Sequence, residues 1–159
     1  MLDLGCGTGL AGAAFRDQVD RLTGVDLSAA MIEEARRKAL YDRLATGELL
    51  EFLATEAAAG ARYDLVLAAD VLVYIADLAG VAAAVRRVLT PAGRFGFTVE
   101  THAGAGVWLG ESLRYAHGAA HVRAAMAGAG LALAALTEVS TRTEKGEPVA
   151  GLLGVAAAC

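Results

Sequence analysis

The chain is predicted to fold as an α/β domain, a doubly wound and mostly parallel sheet of seven strands that ends in an antiparallel β-hairpin. Three observations predict it. Strand-like and helix-like segments alternate five times from the start of the chain, which requires crossover connections. The first strand-like piece, LDL, runs straight into GCGTG, a glycine turn of the kind that joins a strand to a helix. The alternation then stops, and two strand-like runs flank KGEP as a hairpin would.

The elements follow in order. Residues 2–4 are a strand stub, followed by the glycine turn and a helix over residues 10–18. RLTGVDL is a short strand ending at Asp26. SAAMIEEARRKAL is a helix with Ser28 as N-cap, Met31, Ile32 and Ala35 on one face, and its acids ahead of its bases. YDRLATG reads as a weak strand and ELLEFLATEA as a short amphipathic helix. YDLVLAAD is the clearest buried strand, with Leu65, Val66 and Leu67 consecutive. DLAGVAAAVRRVLTPAG is a helix stopped by Pro91 and Gly93, and RFGFTVE is the fifth strand. Residues 101–117 read as a glycine-rich loop, and AAHVRAAMAGAG as a last helix closed by Gly128 and Gly130. LALAALTEVSTRTE and VAGLLGVAAA form the hairpin.

Composition narrows the function. With 159 residues the chain is one domain, 1–159, with enough length for a real core. The apolar share is 56%, much of it alanine, so the core must rest on Leu, Val, Phe and Ile. A net charge of −4 and the scattered bases argue against nucleic acid as a partner. Arg36, Arg37 and Lys38, and Arg86 with Arg87, read as solvated helix faces. Cys6 sits inside the glycine turn and Cys159 at the far end, which suggests reduced thiols and a cytoplasmic protein. The longest apolar run, residues 149–159, is too short to span a bilayer, and no signal peptide is evident. Because the glycine turn follows so short a strand, the first strand is expected to be clipped and the helices ahead of it absent.

In such a sheet the ligand lies at the carboxyl ends of the strands. The glycine turn there satisfies two patterns. Asp3, Gly5, Gly7 and Gly9 spell D-x-G-x-G-x-G, while Gly7, Gly9 and Gly12 spell the dinucleotide motif G-x-G-x-x-G. Asp26, 19 residues after Gly7, suits a ribose in either case. A dinucleotide places a pyrophosphate against a helix N-terminus. S-adenosylmethionine instead needs glycines beneath a bulky sulfonium, and its positive charge profits from an acid such as Asp3.

The segments LDLGCGTG, GVDLSAAMIEEARRK, YDLVLAADVLVYIADL and VLTPAGRFGFTVE, with the closing hairpin, resemble the class I S-adenosylmethionine-dependent methyltransferases along nearly the whole chain. Such proteins are Rossmann-like. RYAHG and TEKGEPVAGLL resemble the methyltransferase domains that follow tetratricopeptide repeats in bacterial proteins, which would place a repeat region ahead of this chain. The resemblance implies that Gly5, Gly7 and Gly9 floor the methionine end, with Asp3 nearby. Asp26 would accept the ribose hydroxyls, Leu27 would pack on adenine, and Glu48 with Leu49 would stand at the adenine edge. Ala69, just after the fourth strand, completes the set. Glu48 can also be read as a first-turn helix acid.

Methyl transfer from a sulfonium needs alignment, desolvation and at most one base. Asp70 could orient an acceptor or merely cap a turn. His102 and His117 have suitable ordinary pKa values, though a lone histidine is more often structural. Tyr74 could wall the pocket beside the sulfonium. Arg114 with Tyr115 could hold an acidic group or form a structural salt bridge. His117 and His121 share zinc-like spacing, but the glutamate of H-E-x-x-H is missing and no metal is expected. AADV stands where amino-group methyltransferases carry N/D-P-P-Y/F, and no cysteine is placed for covalent chemistry. The expectation is therefore methyl transfer to an oxygen or nitrogen of a small molecule, without membrane or nucleic acid. The alternatives are a non-catalytic cofactor-binding fragment, a homodimer formed over apolar surface left exposed by the missing part, and a nicotinamide-binding domain.

Overall fold

The computed structural model describes residues 1–144 and 146–158, so Cys159 and Lys145 of the KGEP turn lie outside the described residues. The chain runs β1 (Leu2–Leu4), α1 (Leu10–Phe15), β2 (Thr23–Asp26), α2 (Ala29–Arg37), β3 (Arg43–Thr46), α3 (Leu49–Ala58) and β4 (Tyr63–Ala68). It continues through α4 (Leu78–Val88), β5 (Leu89–Glu100), β6 (Val107–Leu109), β7 (Tyr115–His117), α5 (Ala119–Gly128), β8 (Leu131–Glu144) and β9 (Glu147–Ala158). The strands form one sheet in the order β3-β2-β1-β4-β5-β7-β6, with β9 also on β5 and β8 on β9. Pairing is parallel from β3 through β5 and antiparallel in β5–β9 and β8–β9. The expected doubly wound sheet with a closing hairpin is what forms.

The reversal of strand order between β1 and β4 opens a crevice at their carboxyl ends. β1 lies mid-sheet, buried along its whole length, so its LDL is a core strand despite its shortness. The core is built on Leu2, Leu4, Val66, Phe95 and Phe97, covered by Val81, Val85 and Val88 of α4 and by Val122 and Met126 of α5. The large side chains carry it, as the alanine-rich composition required. Ser28 caps α2 by accepting from the Met31 amide at 3.4 Å.

Two elements differ from expectation. The helix expected to reach Pro91 ends at Val88, because Leu89 already pairs with Tyr63 in the sheet. Pairing resumes at Arg94 opposite Leu65, so Pro91 and Gly93 sit in a bulge rather than ending a helix. A bulge tolerates proline because no ladder N–H is needed there. The loop over residues 101–117 carries two additional three-residue strands, β6 and β7, paired antiparallel.

The placement of that small hairpin follows from register. Glu100 of β5 pairs with Gly151 of β9 on one edge, so Ala116 of β7 must take the other. β4 occupies that same edge up to Ala68 opposite Phe97. The β6–β7 hairpin thus continues the lane of β4 beyond its end, over the crevice. Among the described residues no helix is long and apolar enough to cross a membrane.

Candidate active site

The glycine turn holds three residues in the left-handed region, Gly5 at φ 64°, Gly7 at 51° and Gly9 at 86°. An L side chain would be strained at each, which explains the x-G-x-G-x-G spacing. The Cys6 amide donates to the Val25 carbonyl at 3.0 Å and tethers the turn to β2. Asp26, at the end of β2, is folded onto the same turn. Its Oδ2 accepts from the Gly7 amide at 2.9 Å and its Oδ1 from the Ser28 amide at 2.8 Å. A Cβ at Gly7 would meet nothing within 4 Å, so open space begins there. Leu27 is 74% exposed beside it. Burial and the nearby Asp3 and Asp26 push the Cys6 thiol up to about 12, so it is no nucleophile.

Gly12, the last glycine of the dinucleotide pattern, has a different cause. A Cβ there would come within 2.4 Å of the Tyr41 hydroxyl, and one at Gly24 within 2.8 Å of the same ring. These glycines make a slot for Tyr41, whose hydroxyl donates to Asp3 Oδ2 at 2.6 Å. Asp3 is buried under the turn, and burial raises its pKa to about 6, with Tyr41 opposing and Asp26 adding to the rise. Sequence reasoning missed Tyr41. The available signal was two glycines, Gly12 and Gly24, at positions with no positive φ to require them.

At the next strand end Glu48 caps α3, its Oε2 accepting from the Glu51 amide at 2.9 Å. Leu49 is buried in the core, whereas Ala69 is exposed at the end of β4.

Beyond β4 a charged cluster forms. Asp70 adopts φ 55°, and its amide donates to Thr98 Oγ1 at 2.9 Å. Arg114 Nη2 donates to the Tyr74 hydroxyl at 2.9 Å, with the guanidinium carbon 5.1 Å from the ring centroid. Arg114 Nη1 lies 3.5 Å from Asp70 Oδ1 and 3.6 Å from Glu100 Oε1. Arg142 Nε and Nη2 donate to the same Glu100 oxygen at 3.0 and 2.9 Å. Arg114 is therefore engaged within the protein, which is the salt-bridge reading of that residue. Arg142, from the distant β8, carried no signal in the sequence. Tyr115 is half-buried in β7.

Asp70, Tyr74, Glu100 and Arg114 are thus brought together, and the two histidines are not part of the cluster. The His102 ring braces residues 102–106, Nδ1 accepting from the Gly104 amide at 3.1 Å. His117 is wholly buried and stacked on His121 at 5.6 Å between centroids. Burial pushes its pKa down to about 4, helped by His121, while the Leu72 and Ile75 carbonyls oppose. Those carbonyls lie near the ring, but neither ring nitrogen makes a hydrogen bond of good geometry. Among the described residues no three His, Cys, Asp or Glu side chains gather as a metal-holding group. A cavity of about 860 Å³ lies elsewhere, between residues 101–105, the start of α5 and the β8–β9 pair.

A methyltransferase domain family matches residues 2–95, more than half of the chain and every strand end of the crevice up to β4. No curated protein matches the sequence significantly. Solved structures share the fold. An S-adenosylmethionine-dependent methyltransferase from Methanosarcina mazei superposes with a TM-score of 0.74 at 14% identity, covering 99% of this chain and 91% of that one. Magnesium protoporphyrin IX methyltransferase from Synechocystis PCC 6803, solved with S-adenosylmethionine bound, gives 0.75 at 20% identity over 99% and 69%. The 1,6-didemethyltoxoflavin-N1-methyltransferase of Burkholderia thailandensis, solved with 1,6-didemethyltoxoflavin and S-adenosylhomocysteine, gives 0.76 at 21% over 99% and 69%. With a glycine turn, a strand-end aspartate folded onto it and a family match across both, the chain belongs to the S-adenosylmethionine-dependent methyltransferase domain family.

Proposed function

We propose that the domain binds S-adenosylmethionine across the glycine turn and transfers its methyl group to an oxygen or nitrogen of a small-molecule acceptor. The observation that carries this reading is the Asp26 carboxylate folded onto the turn, beside the open space at Gly7. Each Asp26 oxygen accepts one amide and keeps capacity for one more donor, enough for two ribose hydroxyls. Gly5, Gly7 and Gly9 bring bare backbone to the methionine end. Buried Asp3 supplies negative charge beneath it. Exposed Leu27 covers one adenine face, with Glu48, Ala69 and the backbone of Leu49, whose side chain stays in the core, along its edge. Where Glu48 receives adenine it does so while still capping α3.

The bound cofactor supplies an electrophilic methyl group already activated by the sulfonium charge. The protein's own part is to align the acceptor and exclude water. Asp70 is the best supported of the candidate bases, because it is exposed at the end of β4 whereas His117 is enclosed. His102 would have to release the Gly104 amide to act. Tyr74, Arg114 and Tyr115 border the acceptor side, with Arg114 holding Asp70 and Glu100 in place. The Burkholderia thailandensis relative, an N1-methyltransferase of a small molecule, supports an acceptor of that size.

A thermal-unfolding scan with S-adenosylmethionine, S-adenosylhomocysteine, NAD and no ligand tests the reading. A ligand at about 100 times its Kd adds about 2.7 kcal/mol, or roughly 2–4 °C for each kcal/mol. The midpoint should rise with both adenosyl ligands and not with NAD. A rise with NAD alone would overturn the assignment.

A further inference from the structure

Resting on the cofactor reading above, we propose that Trp108 and Tyr74 select a flat, uncharged aromatic acceptor that presents an N–H or O–H group to Asp70. Paired residues of neighbouring strands project to the same face of a sheet, and Glu100, Ala116 and Trp108 form one such row across β5, β7 and β6. Arg114 reaches Glu100, Asp70 and the Tyr74 hydroxyl from the same face. The chain's single tryptophan therefore stands two strands from Glu100, about 10 Å between backbones at the usual strand spacing. One or two fused rings span that gap.

Both aromatic groups are unusually open, Trp108 at 58% and Tyr74 at 59% exposure. Small Ala116 is the cross-strand neighbour of Trp108, so no large side chain covers the indole from that strand. Such an indole offers a stacking platform with a defined plane. Charge decides the rest of the acceptor's character. Arg114 lies between Asp70 and Glu100, and Arg142 between Glu100 and Glu144. Three carboxylates thus enclose two guanidiniums. Among the described residues both guanidiniums of this cluster are already paired with carboxylates, which outnumber them, so an anionic acceptor is disfavoured. Asp70, with a side chain 51% exposed and Arg114 no nearer than 3.5 Å, can still receive a hydrogen-bond donor.

Trp108 is its own probe. The protein is first titrated with S-adenosylhomocysteine by calorimetry. At saturation, 4-hydroxyquinoline, benzoate and cyclohexanol are each added while tryptophan emission is followed. The expected result is a saturable change with 4-hydroxyquinoline alone. Calorimetry on Trp108→Ala should then show unchanged S-adenosylhomocysteine affinity and about three- to tenfold weaker 4-hydroxyquinoline binding. Cofactor binding without a response to 4-hydroxyquinoline overturns this inference alone. So does benzoate or cyclohexanol binding equally well, or a Trp108→Ala variant that binds 4-hydroxyquinoline like the parent. Failure to bind S-adenosylhomocysteine overturns the cofactor reading and this inference with it.

Discussion

A single tyrosine decides how the glycine-rich opening should be read. Gly5, Gly7 and Gly9 answer to backbone conformation, but Gly12 answers to the Tyr41 ring that reaches Asp3. Gly12→Ala should therefore cost about 1–3 kcal/mol through overpacking, seen as a lower midpoint in urea or heat. Adding Tyr41→Leu should recover part of that loss, because neighbouring changes are not additive. Two buried groups also set opposing responses to acid. Asp3, raised to about 6, takes up a proton in the folded state before an unfolded aspartate would, so stability from this group rises as pH falls from about 6 to 4. His117, lowered to about 4, does the reverse, and its contribution is lost as pH falls from about 6.5 to 4. Unfolding at pH 7 and pH 5 should show Asp3→Asn losing more stability on acidification than the parent, and His117→Phe losing less.

Elements that carry period or caps were legible, and those fixed by distant partners were not. Ser28 announced α2, and consecutive Leu65, Val66 and Leu67 announced β4. Pro91 and Gly93 looked like a helix stop because local rules cannot see Tyr63 across the sheet, which draws Leu89 into β5. β6 and β7 were hidden by brevity and by the glycines around them, with only three residues each to show alternation. Glu48 offers a test at this scale, since cap and adenine contact predict different losses. Glu48→Ala should lower stability by about 1 kcal/mol by uncapping α3, while Glu48→Asp, a good cap, should restore it. An adenine contact adds weaker S-adenosylhomocysteine binding in Glu48→Ala, readable by calorimetry. Unchanged affinity would leave Glu48 a cap alone.

At the scale of the whole molecule, alternation and the glycine turn sufficed for the fold and for the meeting of Asp26 with that turn at the crevice. Asp26 was found from spacing, and the structure folds it onto that turn. The charged cluster beyond β4 was less legible because it is assembled from far-separated pieces. Arg142 reaches Glu100 across 42 residues of sequence, and Arg114 reaches Tyr74 across 40. No local pattern encodes such meetings. The central claim is that Asp26 and the glycine turn together hold an adenosyl ligand by its ribose. It is tested most directly by calorimetric titration of S-adenosylhomocysteine and its 2′-deoxy analogue into the parent and Asp26→Ala. The parent should bind S-adenosylhomocysteine and lose about tenfold or more on removal of the hydroxyl, as expected for a hydrogen bond to a charged group. Asp26→Ala should bind both weakly and without discrimination. An Asp26→Ala variant that binds S-adenosylhomocysteine as tightly as the parent would contradict the account.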